Sequence, residues 1–310
     1  MNVHALPKLI AIVGPTASGK SGIAEVLAQT FNGEIVSADS RQLYRGLDIG
    51  TAKDPGEWKR INGDTRYVLE SGVIEHLVDI LDPDQEFTAA EYQHRAFEAI
   101  GEILARGRVP FLVGGTGLYV QAVIDHLQFP DVARNAELRE RLQKKSLVEL
   151  QNTYAACDPI GALSIDENNK LRLIRAIEVC MVAQKPFSEL RKNGEPKYDV
   201  LQLGIELYRE ALYQHIDRRT LQMVQYGLVE EVQALIDRGV DPTKSAMTGI
   251  GYREVVDYLQ GQLGFEEMIV EIQKNSRRLA KRQLTWFKRD NRIQWVTSAD
   301  EAESLVRGFL

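Results

Sequence analysis

Eight residues constrain this chain more than any others: Gly14-Pro15-Thr16-Ala17-Ser18-Gly19-Lys20-Ser21, a complete G-x-x-x-x-G-K-[ST] loop. The apolar run Leu9-Ile10-Ala11-Ile12-Val13 precedes it, and an amphipathic stretch over residues 23–31 follows. Strand, loop and helix in that order form the context in which such a loop cradles phosphate. The glycines let backbone N–H groups turn inward around phosphate oxygens, and the helix N-terminus adds its dipole. Lys20 supplies a positive charge, and the Ser21 hydroxyl is placed to ligate Mg²⁺ together with the phosphates. A ligand carrying a diphosphate or triphosphate is expected here. Taken alone, the motif suggests nucleotide binding, with ATP or GTP as the occupant.

Further along, residues 34–37, 76–80 and 109–113 read as strands separated by longer amphipathic segments, a pattern that predicts a parallel α/β sheet. Between residues 131 and 191 the β-branched runs give way to charged helical periodicity, as in Glu137-Leu138-Arg139-Glu140-Arg141-Leu142 and over residues 171–181. A strand over residues 200–207 and helices over 209–226, 229–238 and 252–260 then resume the first pattern, after a Gly/Pro-containing linker at 192–197. The expected architecture is α/β: a P-loop NTPase-like parallel sheet flanked by helices, with a helical insertion domain. The core takes residues 1–128 and 196–310, its C-terminal part largely helical, and the insertion takes 129–195.

The bulk numbers add exclusions. Of 310 residues, 44% are hydrophobic and 26% charged, an ordinary composition for a chain with a large core. No apolar run reaches a membrane-spanning length, and Met1-Asn2-Val3-His4-Ala5-Leu6-Pro7-Lys8 lacks a leader pattern, so a cytoplasmic protein without membrane contact is expected. Cys157 and Cys180 have neither C-x-x-C partners nor a histidine pair, which argues against zinc and against disulfides. A net charge of -6 counts against nucleic-acid binding only if the charge is evenly spread. It is not: residues 277–292 hold seven basic side chains and one acid. Arg278, Lys281, Arg282 and Arg289 recur at helical spacing with Trp286 and Phe287 between them, a face that suits either a polyphosphate backbone or plain solvent.

Four further segments carry candidate chemistry. Asp39, in Ser37-Ala38-Asp39-Ser40-Arg41-Gln42, lies just past a strand's C-terminal end, where open α/β sheets bind ligands; it suits a general base or a helix cap. The strand at 109–113 ends in Gly114-Gly115-Thr116-Gly117 where a nucleotide hydrolase would carry an acid, and Asp79 is a weak substitute. Glycines and a threonine there suit a departing anion, or simply a tight strand-to-helix turn. Arg218 and Arg219 are adjacent on a helix, and periodicity does not say which points inward to clamp phosphate. Met247-Thr248-Gly249-Ile250-Gly251-Tyr252-Arg253 forms a loop entering a helix.

Together these blocks resemble the tRNA dimethylallyltransferase family, bacterial type. The likeness runs through the phosphate loop, Asp39-Ser40-Arg41-Gln42-Leu43-Tyr44, Asp48-Ile49-Gly50-Thr51-Ala52-Lys53, Asp79-Ile80-Leu81-Asp82-Pro83 and Gly114-Gly115-Thr116-Gly117-Leu118-Tyr119. It continues in residues 172–179, in Gly251-Tyr252-Arg253 and in Leu279-Ala280-Lys281-Arg282-Gln283-Leu284-Thr285-Trp286. Departures are small: Ser21 where threonine is common, and Asp54 and Ile74 where prolines are often seen. Because the sequence ends soon after the basic helix, the bacterial type, which lacks the zinc finger of eukaryotic relatives, is the expected one. The resemblance implies transfer of a dimethylallyl group from dimethylallyl diphosphate to N6 of adenosine 37 in tRNAs that read codons beginning with U. The loop would then hold the diphosphate, with Mg²⁺ on Ser21. Lys20, Thr116 and Arg219 would stabilise the leaving group, and Asp39 would accept the N6 proton. The anticodon stem-loop would meet Asp39, Ser40, Arg41, Gln42, Thr116, Arg139, Leu171, Arg172, Arg175, Thr248, Gly251, Tyr252, Arg253, Lys281, Arg282, Gln283, Trp286 and Lys288. A monomer is expected.

Three other readings share parts of this pattern. A small-molecule kinase would use the same loop with ATP; the missing acid and the basic C-terminal helix argue against it. An adenylate isopentenyltransferase would use the same chemistry on a free nucleotide, and a non-enzymatic RNA-binding module would need neither Lys20 nor Asp39.

Overall fold

The computed structural model describes residues 5–190 and 192–310; Met1 to His4, part of the segment read above for a leader, and Arg191, the end of the helical stretch, lie outside them. Strand β1 (Lys8–Val13) shows why its apolar run is continuous rather than alternating. Leu9, Ala11 and Val13 enter one core cluster while Ile10 and Ile12 enter another, so both faces of the strand are covered.

The strands are β1, β2 (Gly33–Ser37), β3 (Gly56–Ile61), β4 (Asp64–Leu69), β5 (Ile74–His76), β6 (Val109–Gly114), β7 (Leu127–Gln128), β8 (Lys192–Asn193), β9 (Asp199–Ile205) and β10 (Ile293–Val296). The helices are α1 (Lys20–Thr30), α2 (Ala89–Ala105), α3 (Gly117–Ile124), α4 (Ala136–Gln143), α5 (Leu147–Cys157), α6 (Pro159–Ala162), α7 (Lys170–Ala183), α8 (Phe187–Leu190), α9 (Arg209–Gln225), α10 (Leu228–Asp237), α11 (Tyr252–Leu259), α12 (Phe265–Phe287) and α13 (Ala299–Phe309). Eight strands form one sheet in the order β10-β9-β1-β6-β2-β5-β4-β3. From β10 to β5 every pairing is parallel. The chain leaves β1 for β2, skipping the place later filled by β6, and then returns to the other side of β1 as β9. That reversal opens a crevice beyond the C-terminal end of β1, where doubly wound sheets bind ligands.

The structure departs from the sequence reading at the sheet's edge. Strands β3 and β4 pair antiparallel through Asn62 and Gly63, both at positive φ (51° and 95°), a hairpin signal that the reading passed over. The strand expected at 76–80 is instead Ile74–His76, because Leu77 and Asp79 take φ of 63° and 52° and turn the chain away. β10 and α13 were not anticipated.

By contact density the chain forms two units, Met1–Ile124 with Lys197–Leu310, and Asp125–Pro196. The second unit contains α4 to α8 and, unforeseen, the two-stranded β7–β8 ribbon. Its core is Leu138, Leu142, Leu150, Tyr154, Leu173, Ile174 and Ile177, with Cys180 beside them. Buried Glu178 of α7 ties α4 to α7: it accepts from Arg139 (2.8 and 2.7 Å), Arg175 (2.7 Å) and the Asn135 amide (2.8 Å). Burial alone would raise its pKa; the two guanidinium groups and the amide outweigh that and hold it down at about 2. The stabilisation is therefore complete above the ordinary carboxylate value of about 4.5 and is lost as pH falls towards 2. Glu178→Ala, which strands two arginines, is expected to cost this unit about 3 kcal/mol. Hydrogen exchange of the α5 and α7 amides measures this; unchanged protection would refute it.

Candidate active site

The loop at residues 14–21 joins β1 to α1 beside the crevice. Ala17 and Gly19 hold φ of 62° and 84°, a left-handed course that turns backbone amides inward. Gly19 caps α1 without any side-chain hydrogen bond, so the first amides of the helix have no local acceptor. Ser18 Oγ is buried with no partner at all. An orphaned hydroxyl beside uncapped amides fits a bound phosphate, whose oxygens supply the missing acceptors.

Long-range contacts fasten this loop. The Thr16 amide donates to Gln283 Oε1 (2.8 Å), and Gln283 Nε2 donates to the Gly115 carbonyl (3.0 Å), so one side chain of α12 ties two loops together. Arg219 donates to Thr16 Oγ1 (3.3 Å) and the Thr51 carbonyl (3.2 Å). Arg218 is exposed, so the inward arginine of the pair is Arg219. Lys20 Nζ lies 3.4 Å from the Pro15 carbonyl. Burial pushes Lys20 down to about 8, with Asp39 opposing and Arg219 reinforcing the shift.

Asp39 follows β2, and its Oδ1 accepts the Arg41 amide at 2.8 Å. No helix starts there; residues 40–43 form a turn, which removes the helix-cap reading. Thr116 Oγ1 accepts the Ser40 amide (3.1 Å), and the Thr116 amide donates to the Ala38 carbonyl (3.1 Å). The glycines of this second loop are there for close approach. A Cβ on Gly114 would stand 2.2 Å from the Ala38 carbonyl oxygen, one on Gly115 2.3 Å from Gln283, and one on Gly117 2.3 Å from the Trp286 ring. Gly114→Ala pushes against backbone and is expected to cost about 3 kcal/mol through overpacking. A urea midpoint equal to that of the parent would show that the two strands can separate without penalty.

Two chambers meet at Asp39. The larger, of about 800 Å³, is lined by Thr16, Ala17, Asp39, Ser40, Arg41, Thr116 and Arg219, by Thr248, Gly251, Tyr252 and Arg253, and by Arg278, Lys281, Arg282 and Gln283 of α12. Its volume falls in the range typical of ligand sites. The smaller, of about 20 Å³, is lined by Lys20, Ser21, Asp39, Gln42, Asp54 and Glu75 among others. Burial, with Asp54 and Glu25 nearby, pushes Glu75 up to about 8.

Several expected site residues are otherwise engaged. Arg253 pairs with Glu254 (2.7 Å), and the Tyr252 hydroxyl donates to Glu231 (2.6 Å), which also accepts the amides of Asp48, Ile49 and Gly50. Arg41 reaches the Ser245 carbonyl. Lys288 pairs with Glu206 at 3.0 Å and lines neither chamber, and Trp286 packs over Gly117. In the second unit Leu171 and Arg172 are exposed at the start of α7, whereas Arg139 and Arg175 are held by Glu178. Asp79, the substitute acid, is bound to Lys53 and lines neither chamber. The sequence reading missed Asn275, Ser276, Thr220, Asp54 and Glu75 as lining residues. Only Asp54 left a signal, its departure from proline.

The sequence profile of the family described as IPP transferase matches residues 42–290. The chain belongs to the IPP transferase family. The family's tRNA dimethylallyltransferases are prenyl-transferring enzymes, and the one from Heliobacterium modesticaldum is 43% identical over 306 residues, covering 96% of this chain and 92% of that protein. Among solved structures, the full-length tRNA isopentenylpyrophosphate transferase of Bacillus halodurans matches with a TM-score of 0.70 at 39% identity, over 97% of this chain and 95% of that one. A eukaryotic dimethylallyltransferase acting on tRNA matches with a TM-score of 0.74 at 26% identity, over 98% of this chain and 78% of that one. The IPP transferase fold is thus the P-loop NTPase-like sheet expected from the sequence. No helix among the described residues is long and apolar enough to cross a membrane.

Proposed function

We propose that this chain transfers the dimethylallyl group of dimethylallyl diphosphate to N6 of adenosine 37 in tRNAs reading codons that begin with U, acting as a cytoplasmic monomer. The observation that carries the reading is the position of Asp39, which lines both chambers: the small one beside Lys20 and Ser21 and the large one rimmed by Arg278, Lys281 and Arg282. The phosphate loop holds the diphosphate, and the basic rim faces the anticodon stem-loop. The target adenine leaves its stack to enter the larger chamber. Its N6 lone pair forms the bond to C1 of the prenyl group as the C1–oxygen bond breaks. The bonding pair leaves with diphosphate, and Asp39 takes the N6 proton. Lys20, Arg219 and the Thr116 hydroxyl face the negative charge growing on the leaving group. Because an adenine amine is a poor nucleophile, holding it in line beside a good leaving group supplies much of the rate.

Among the described residues no group of three or more His, Cys, Asp or Glu could hold a metal unaided. A divalent ion at Ser21 therefore depends on phosphate oxygens, which is how Mg²⁺ usually binds. Mg²⁺ would neutralise the diphosphate as it departs. The insertion unit offers Leu171 and Arg172 to the RNA.

The test is incubation with labelled dimethylallyl diphosphate, Mg²⁺ and either unmodified tRNA or AMP. Label is expected in tRNA at the adenosine beside the anticodon. Label in AMP alone would sink the proposal, and phosphorylation of a small molecule by ATP would replace it with a kinase.

A further inference from the structure

Glu231, in the first turn of α10, lines neither chamber, yet its carboxylate is filled with donors. Oε2 accepts the amides of Asp48 (3.0 Å) and Ile49 (2.8 Å), and Oε1 accepts the Gly50 amide (3.2 Å) and the Tyr252 hydroxyl (2.6 Å). Three successive amides converging on one anion form a backbone nest, and each bond to the ionised acceptor is stronger than a neutral one. The Tyr252 ring closes the other side: a Cβ on Gly50 would stand 2.5 Å from it. Residues 48–50 are thus pinned between α10 and α11.

The next residue carries this anchoring into the site. Thr51 is buried, and its carbonyl accepts Arg219 Nη2 at 3.2 Å, while Thr16 Oγ1 of the phosphate loop accepts Nη1 at 3.3 Å. Both acceptors are neutral, so they orient the guanidinium and leave its charge available to an anion. Bonds within the segment stiffen it: the Thr51 hydroxyl donates to the Leu47 carbonyl (2.6 Å), and the Ala52 amide to the Ile49 carbonyl (3.0 Å). Lys53, bound to Asp48 and Asp79, anchors the far end, and Glu231 holds the backbone amides of the near end. Gly50, Thr51, Tyr252 and Arg219 all line the larger chamber, so a shift of this segment is felt there.

We propose that Glu231 is a positioning residue for the prenyl donor: by fixing residues 48–50 it sets the Thr51 carbonyl that, with Thr16, aims Arg219 at the phosphate loop. This rests on the reading that Arg219 meets the diphosphate. Glu231 touches no substrate and acts through a backbone carbonyl two residues beyond the amides it holds. Such support matters because a group misplaced by about 1 Å can forfeit about 10²-fold of its effect.

The test is a double-mutant cycle in the full chain, with affinity for inorganic diphosphate in the presence of Mg²⁺ read by calorimetry. Glu231→Ala is expected to weaken diphosphate about tenfold, within the range of coupled hydrogen-bond neighbours. Glu231→Gln, which keeps the side chain's shape and one accepting oxygen, should restore most of that loss and weaken diphosphate only about threefold. Arg219→Ala removes the group through which Glu231 acts, so adding either Glu231 substitution to it should cause no further loss. Should Glu231→Ala fail to fold, Glu231→Gln completes the same cycle. Losses that multiply in the double variant would assign Glu231 to the fold at large and overturn the proposal. So would parent-like affinity in the single Glu231 variants when Arg219→Ala is impaired. Parent-like affinity in Arg219→Ala would instead overturn the reading beneath it, that this arginine meets the diphosphate.

Discussion

Asp39→Ala is expected to lower turnover by about two orders of magnitude or more, the usual contribution of a positioned general base, while tRNA binding stays nearly intact. The separation follows from where Asp39 stands. It lies at the junction of the chambers, whereas the basic rim is carried by α12 and is untouched by the change. Single-turnover rates with saturating tRNA, beside a filter-binding isotherm, measure the two quantities separately. Lost tRNA affinity with normal turnover would assign Asp39 to recognition instead. A secondary effect has a definite sign. Because Asp39 raises the Lys20 pKa, its removal should shift the alkaline limb of the pH profile to lower pH.

Lys20→Ala carries the second large effect, a loss of about 10²–10³ in kcat/KM for the prenyl donor, comparable to removing one preorganised charge from a developing anion. Direct calorimetry with inorganic diphosphate should show the same loss in binding, with tRNA affinity unchanged. The pH dependence follows from burial, which sets Lys20 at about 8 in the free protein. The ammonium form binds the anion, so diphosphate affinity is full below pH 8 and falls above it by at most about tenfold per unit. Lys20→Ala should abolish that slope. Stability of the free protein runs the other way: between about 8 and the ordinary value of 10.5 the unfolded chain binds more protons, so stability rises with pH over that window. A diphosphate affinity that stays flat to pH 10 would remove Lys20 from the binding charge.

The parts of the site legible in the sequence are those whose geometry is set by near neighbours in the chain. The phosphate loop is contiguous, its helix begins at its own lysine, and Gly114 to Gly117 lie on one turn. Where the reading went astray, the cause was local chemistry given too little weight. Asn62-Gly63 is a hairpin signal, and the residues at 76–80 read as strand by hydrophobicity although the backbone turns at Leu77. The basic helix shows the limit from the other side. Its seven cations look alike in sequence, yet Arg277 is bound to Asp217, Lys288 to Glu206 and Arg292 to Asp290, while Arg278, Lys281 and Arg282 line the cavity.

From sequence alone came the parallel α/β core, the phosphate loop, the acid after β2 and the glycine-threonine turn after β6, because each is encoded within about eight residues by side-chain period and backbone freedom. Tertiary structure alone chose Arg219 over Arg218 and made Gln283 the tie between two loops. It also brought Asp54 and Glu75 to the chamber of Ser21. Those contacts join segments that are tens to hundreds of residues apart, and no local periodicity records which side chains will face each other once the sheet has closed around them.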